Sequence, residues 1–229
     1  MLHRWAPEGE DFRMLGVEYD CKLLMRGECH FLARQAGWKL RTLLRARRFY
    51  NEQDLVTLYK THLLPFLEFA TPAVYHAATT TLAAVDRVQA RFLREVELTA
   101  EEALLRYNLA PLCARRDMAM LGVIHRTTLG KGPPHFREWF YPATKPEHRH
   151  NTRLQAGRHN RQLHDYVDGS HTELLRNSAL GLVRVYNGLP QRVVDAKTVA
   201  SFQHLLQQHL KDLVRKQTEE WQTYYSPRR

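Results

Sequence analysis

The side chains best suited to chemistry in this sequence are cations that cluster between residues 34 and 48. No acidic residue interrupts this segment, and a tryptophan lies within it. Lys and Arg neutralise phosphates and an aromatic ring stacks on an exposed base, so one interpretation of the pattern is contact with a nucleic-acid backbone. The alternative is a solvated basic helix face, with its tryptophan packed against the protein. The candidate nucleic-acid-binding residues are Arg34, Trp38, Lys39, Arg41, Arg45, Arg47 and Arg48, together with Lys60.

A second basic stretch runs from residue 145 to residue 161 and holds five cations against Glu147 alone. Arg149 and Arg153 are its candidate contacts to nucleic acid, and a plain linker is the alternative. Two histidines of this stretch lie two residues apart, as in some metal-dependent nucleases. They have no carboxylate nearby except Glu147, so we expect a solvated loop here rather than a nuclease site.

The cysteines do not form a metal or redox pattern. Seven residues separate Cys21 from Cys29, where zinc ligands usually have two to four between them, and Cys113 stands alone. Three cysteines are too few for a disulfide framework, so we expect buried thiols and an intracellular protein, in nucleus or cytoplasm. No nucleophilic triad has a local pattern here. We therefore predict no catalytic residue, no metal ligand and no cofactor in this chain.

Composition sets the class of partner. The chain has 229 residues, enough for one domain or two small ones, and a formal charge of +10. Residues 1–110 carry 15 Lys and Arg against 14 Asp and Glu, whereas residues 111–229 carry 19 against 10. This excess points to an anionic partner, most simply nucleic acid, with a membrane surface as the weaker alternative. No apolar run approaches the roughly 20 residues of a membrane span and no secretory leader is visible, so we expect neither a membrane nor a small-molecule substrate as partner.

The elements that would position the basic segment follow from hydrophobic spacing. Alternation predicts a short strand over residues 12–20 with both faces apolar, and therefore covered on both sides. A helix follows it, with leucines on one stripe and arginines three or four apart on another. Asn51 predicts the N-cap of a next helix, which should end near Pro65.

Further helices are predicted downstream. An apolar stripe marks a helix over 82–96, and Thr99 with Glu102 forms a capping box for a short helix. Another helix runs from Leu112 until Gly130 stops it. The remaining expectations are a poorly periodic stretch over 130–170, a second capping box at Ser170 and Glu173 opening a helix that continues to Asn187, a last helix from about Asp195, and a polar tail over 216–229.

Several motifs occur in an order that resembles non-LTR (LINE-type) retrotransposon reverse transcriptases. The run FRMLGV at 12–17 resembles the (K/R)YLGV segment of that family, which forms the last strand of the palm. LYK at 58–60 and LPFLEF at 64–69 resemble its LYKS and RPxLEY motifs. Leu64 replaces the family's arginine, Phe69-Ala70 its Tyr-Gly, and Tyr75 its tryptophan.

The resemblance extends over about residues 12–210. VDRVQAR at 85–91 is similar to the family's LDRVQRR, NTR at 151–153 to its RNTR, and RVYNGLP at 184–190 to its LWNSLP. The resemblance implies a mainly α fold: a palm remnant over 1–20, a helical thumb-like domain over 21–130, a basic linker over 131–170, and a C-terminal helical region over 171–215 with its tail.

By this resemblance the chain is a fragment of an RNA-directed DNA polymerase that helps to bind template RNA and nascent DNA. Leu15, Gly16 and Val17 would form a primer-grip-like segment. Two-metal polymerisation needs clustered carboxylates, and the sequence contains no Asp-Asp pair, so Mg²⁺ would belong to a missing palm and the chain alone is predicted inactive. The rest of a polymerase is a further expected partner. The alternative is a helical protein-interaction module, or a non-functional remnant, with no nucleic-acid role.

Overall fold

The structure, a computed structural model, describes residues 9–143, 159–167 and 173–228. It is mainly helical, with a two-stranded antiparallel sheet in its described part, which confirms the mainly α prediction. The chain divides into two compact units, residues 1–112 and residues 113–229. The division thus lies at the start of the seventh helix, whereas the resemblance extended the thumb-like domain to residue 130.

The first unit opens with a hairpin instead of one strand. Strand β1 (Phe12–Met14) pairs with β2 (Val17–Tyr19) around a two-residue turn in which Leu15 and Gly16 both have positive φ, 51° and 85°. Such a turn matches the twist of the two strands. All three residues of β1 are exposed. The predicted single strand over 12–20, covered on both sides, is therefore wrong, because the chain reverses at Leu15 and Gly16.

Helix α1 (Arg26–Arg45) follows a turn that is held by Asp20. The Asp20 carboxylate accepts hydrogen bonds from the N–H groups of Leu24 and Met25, at 2.8 and 2.5 Å. Its buried face includes Leu32 and Leu40, as the leucine stripe predicts. A 3₁₀ turn over Arg47–Phe49 follows the helix.

The next helical segment continues through Pro65, so the expected end at that residue is wrong. Helix α2 (Glu52–Leu58) passes into a π-helical turn (Tyr59–Leu63) and then into α3 (Leu64–Glu68). Pro65 lies in the first turn of α3, where its missing N–H has no helical partner to lose. At the other end, the Asn51 side chain accepts from the Asp54 N–H at 2.8 Å, which confirms the predicted N-cap.

Three more helices complete the first unit: α4 (Thr71–Val74), α5 (Thr79–Glu95) and α6 (Ala100–Tyr107). Helix α5 packs along α1. The capping box predicted at Thr99 and Glu102 is present in both directions. In the core, the rings of Tyr59 and Phe92 stack with centroids 4.2 Å apart.

The second unit contains α7 (Leu112–Thr128), a 3₁₀ turn (Pro134–Glu138), and the helices α8 (Glu173–Asn177), α9 (Leu182–Asn187), α10 (Gln191–Val194) and α11 (Val199–Arg215). The predicted continuous helix to Asn187 is wrong. It breaks after Asn177, where the Ser178 hydroxyl accepts from the Leu180 N–H at 3.1 Å. Ser170, the proposed cap, lies outside the described residues.

Two stretches expected to be solvent-exposed contribute to the core of the second unit. Within 130–170, Leu163 and Val167 are buried, and an isolated bridge joins Pro142 to Leu163. In the segment named as a polar tail, Trp221 and Tyr225 are buried, and the Tyr225 hydroxyl donates to the Leu206 carbonyl at 2.9 Å. The aromatic residues of this segment account for its packing.

Candidate nucleic-acid interface

The outward face of α1 carries a row of basic residues with one aromatic ring. Arg34, Trp38, Arg41 and Arg45 follow one another at helical positions i, i+4, i+7 and i+11, and all four are exposed. At 1.5 Å per residue the row extends about 16 Å along the helix. The Arg41 guanidinium lies 5.1 Å from the centroid of the Trp38 ring, which is 60% exposed. We call these four residues the α1 row.

The cations of the α1 row have no counter-charge nearby. Arg34, Arg41 and Arg45 form no ion pair with any residue that the structure describes. Arginine side chains with this freedom can turn their donors toward an external anion and bind a phosphate in bidentate fashion. The α1 row can therefore neutralise phosphates without breaking an ion pair to the described residues.

The other cations predicted from the basic segment contact the protein itself. Arg47 forms an ion pair with Glu95, with 2.6 Å between Nη1 and Oε2. Lys39 places its Nζ 5.2 Å from the centroid of the Phe66 ring. Arg48 stacks on its neighbour, the exposed Phe49. These three residues therefore do not lengthen the α1 row, although Arg48 stays exposed at its end.

Lys60 is occupied in a polar cluster of the first unit. Its Nζ donates to the Tyr107 carbonyl at 3.0 Å. The hydroxyl of the same tyrosine donates to Glu52, and that hydrogen bond, followed by burial, raises the pKa of Tyr107. Glu52 also pairs with Arg106, 2.9 Å away. Lys60 thus holds α6 against the π-helical turn. Arg149 and Arg153, the candidates of the second basic stretch, lie outside the described residues.

A second basic row, which the sequence analysis did not assign, lies on α5. Arg87, Arg91 and Arg94 recur at i, i+4 and i+7, are exposed, and form no ion pair within the described ranges 9–143, 159–167 and 173–228. We call them the α5 row. The signal was present in the sequence, since the spacing is the same as in the α1 row. The sequence prediction used residues 85–91 only as a motif of the resembling family and did not consider their basic side chains as a row.

The two rows lie on neighbouring helices that run in the same direction. Just before the N-termini of α1 and α5, the His76 Nε2 lies 2.7 Å from the Leu23 carbonyl oxygen. At the C-terminal ends, Arg47 pairs with Glu95. Helices packed in this way have axes about 8–10 Å apart. The first unit therefore presents two parallel rows of arginines that form no ion pair with the described residues.

The primer-grip-like residues are divided between a turn and the core. Leu15 is 92% exposed at the tip of the hairpin, with Gly16 beside it, whereas Val17 is 5% exposed and packs in the core. The Arg13 guanidinium donates to the Gly16 carbonyl at 3.4 Å. A leucine with positive φ is disfavoured, and here its side chain is also left in solvent. Such a turn is a candidate contact site.

The described residues contain no group of three or more His, Cys, Asp and Glu side chains arranged to hold a metal ion. The described helices include none long and apolar enough to span a membrane. Family models, curated proteins and solved structures were compared with this chain, and none of them matches it.

Proposed function

We propose that the first unit binds the sugar–phosphate backbone of nucleic acid through the α1 row and the α5 row. The observation that carries the proposal is the exposure of six arginines on two parallel helices without an ion pair to the described residues. An isolated exposed arginine is common, but two rows on packed helices present charge at regular intervals along each helix. Phosphates along a strand repeat at regular intervals as well.

In this proposal the arginines contact the phosphate charges of the nucleic acid and do not distinguish its base sequence. Arginines spaced along a helix face neutralise phosphates wherever they lie, which gives affinity without base discrimination. Trp38 adds a stacking surface for an unpaired base or a ribose. The expected ligand is a template–primer duplex of RNA and DNA, with its single-stranded continuation near Trp38.

The proposal extends to the polymerase that the sequence motifs resemble. The chain would contribute nucleic-acid binding to an RNA-directed DNA polymerase, with its hairpin tip at Leu15 and Gly16 near the primer end or against the rest of that enzyme. The catalytic carboxylates and Mg²⁺ would be supplied by a palm. The fragment itself is proposed to catalyse nothing.

A fluorescence-anisotropy titration with a labelled RNA–DNA duplex tests the backbone contacts. The triple variant R34Q/R41Q/R45Q removes three phosphate contacts, so the slope of log K against log salt becomes shallower by about 2.7. The loss of affinity should be similar for unrelated sequences. R87Q/R91Q/R94Q should act in the same direction.

The matched control is R192Q/K197Q/K216Q, which removes the same charge from exposed positions of the second unit. It should leave the slope within experimental error of the parent. Equal losses in the control and in the α1-row variant would show a general charge effect and overturn the proposal. So would affinity that does not fall as salt rises.

A helical protein-interaction module is the second candidate, and one observation favours it. Strand β1 is exposed over its whole length and presents Phe12 and Met14, with Leu15 following at the tip. Exposed edge strands with apolar side chains are typical of surfaces that pair with another chain. Sedimentation that shifts with L15N or M14T, together with no salt-dependent binding of nucleic acid, would favour this function over the first.

A further inference from the structure

The second unit contains a cavity of about 520 Å³. Its walls come from the end of α7, from the segment around the 3₁₀ turn Pro134–Glu138, and from the two chain segments joined by the Pro142–Leu163 bridge. This volume falls within the range of sites that hold small molecules. The cavity lies entirely within one unit and is lined by described residues.

The charge of the cavity wall is positive. Arg137 and Arg161 both line it, and none of its eleven lining residues is Asp or Glu. The Arg137 Nη2 donates to the Gly130 carbonyl at 2.7 Å, which fixes that guanidinium at the wall while its other nitrogens stay available. Two cations facing one cavity without a carboxylate repel each other unless an anion lies between them.

Arg161 gives a second observation that points to an anion, independent of the net charge of the cavity wall. Its Nη1 atom is buried and has no hydrogen-bond partner among the residues that the structure describes. A buried N–H of a charged group that lacks an acceptor is costly, so such groups are usually paired. The backbone N–H of Arg161 donates to the Nδ1 of His159 at 3.1 Å. That hydrogen bond does not involve the guanidinium, so the cost of the buried Nη1 remains.

The titratable groups near Arg161 supply no negative charge either. Burial lowers the pKa of His125 and of His159, and the positive charge of Arg161 lowers both further. Burial raises the pKa of Tyr186, so its hydroxyl stays neutral. Asp195 acts on His159 but does not line the cavity. An anion from outside the protein would complete this arrangement.

The rest of the wall favours a ligand with a flat, partly polar body. Tyr141 lines the cavity, and its ring stacks on His164 with centroids 5.1 Å apart. Asn160 is held by Gln191, whose Oε1 accepts from the Asn160 N–H at 2.9 Å and whose Nε2 donates to its Oδ1 at 3.0 Å. An aromatic wall and a fixed amide next to two arginines suit a base beside a phosphate.

We propose that this cavity is a phosphate-binding site that takes a nucleotide phosphate monoester, with Arg161 and Arg137 neutralising the phosphate. The phosphate can belong to a free mononucleotide or to the 5′ end of a nucleic-acid strand. The site lies in the second unit and does not depend on the α1 row or the α5 row.

Isothermal titration calorimetry of the full chain with inorganic phosphate and with AMP tests the site. R161Q should weaken AMP binding at least tenfold, R161K should weaken it less, and R137Q should also weaken it. R192Q, which removes an exposed cation of the same unit, should bind AMP as the parent does. R161Q removes a guanidinium whose Nη1 is buried without a hydrogen-bond partner among the described residues, so its melting temperature without ligand should equal or exceed that of the parent.

A pair of oligonucleotides, one with a 5′-phosphate and one with a 5′-hydroxyl, separates the two sources. If the strand with a 5′-phosphate binds more tightly than the strand with a 5′-hydroxyl, and R161Q loses this preference, the site takes strand ends. If AMP binds but the two strands bind equally, the site takes free nucleotides. Absence of heat with both phosphate and AMP, or an R161Q variant that binds AMP like the parent, would overturn the proposal. Salt-dependent duplex binding by R161Q should persist in every case, so failure of this site and failure of the α1 row are distinguishable.

Discussion

Two buried histidines should make the second unit lose stability as the pH falls. His125 is fully buried, its Nε2 lies 2.8 Å from the Ala196 carbonyl oxygen, and its Nδ1 lies 3.1 Å from the Tyr186 hydroxyl. The carbonyl requires a proton on Nε2, so a neutral ring fits with the hydroxyl donating to Nδ1. The ring also stacks on Phe202, with centroids 4.1 Å apart. His159 has a similar environment, since its Nδ1 accepts from a backbone N–H.

The sign of the effect follows from the direction of the shift. Burial lowers the pKa of both histidines in the folded state, whereas in the unfolded chain they titrate near 6.5. Below about pH 6.5 the unfolded state therefore binds protons that the folded state resists, and folding becomes less favourable. Each histidine that stays neutral when folded costs about 1.4 kcal/mol at pH 5.5 relative to pH 7.5, so the two together give an upper limit of about 2.7 kcal/mol.

Hydrogen exchange of the full chain measures this loss segment by segment. The opening free energies of α7 and α11 are compared at pH 7.5 and 5.5, after correction for intrinsic exchange rates. H125Q keeps a donor and an acceptor but cannot be protonated, so it should destabilise the unit at both pH values and reduce the pH-dependent loss by up to about 1.4 kcal/mol. Burial also lowers the pKa of His209 on α11, so part of the loss should remain in this variant. H204Q, at an exposed position of α11, is the control. Protection of α7 that is equal at the two pH values, or higher at pH 5.5, would refute the reasoning.

Four further substitutions test the core packing, a helix cap and two glycine positions. Phe92→Ala should cost about 3–5 kcal/mol in urea unfolding of the first unit, because the ring is fully buried, and a cost below about 1 kcal/mol would contradict that packing. Backbone and side-chain hydrogen bonds from Thr99 hold the pKa of Glu102 low. Thr99→Ala removes only the side-chain one, so that pKa should rise part of the way, and an NMR titration that finds no change would contradict the hydrogen bond between the two side chains. Gly181→Ala should lower the melting temperature by about 4 °C or more, because its Cβ would meet a backbone oxygen at 1.9 Å. Gly188→Ala, whose nearest such atom is at 3.5 Å, should change it little.

The sequence predicts those features of the fold that depend on a few neighbouring residues. The caps at Asn51 and Thr99 are of this kind, since each is a side chain bonded three residues ahead. The hairpin turn was missed because Leu15 is atypical of positive-φ positions. The continuation through Pro65 was missed because it requires a π-helical turn that no composition rule indicates.

The same distinction between local and tertiary effects applies to the candidate site. Helical spacing alone predicts that Arg34, Arg41 and Arg45 share a face, and the structure places them so. It cannot predict that Lys60 is bound by a carbonyl 47 residues away, or Arg47 by a carboxylate 48 residues away. Tertiary packing sets those partners, so the sequence alone predicts that both cations are free to contact phosphates.

Two contacts join α1 and α5 at opposite ends, and they affect the conformational entropy that binding a partner would cost. Leu23 contacts His76 at one end, Arg47 pairs with Glu95 at the other, and the two helices also pack along each other. A partner then meets a scaffold whose charge spacing is already set, and association costs the backbone little conformational entropy. Only the arginine side chains have to be ordered. If the proposed function holds, we expect this surface to favour polyanions whose charge repeat matches the spacing of its arginines.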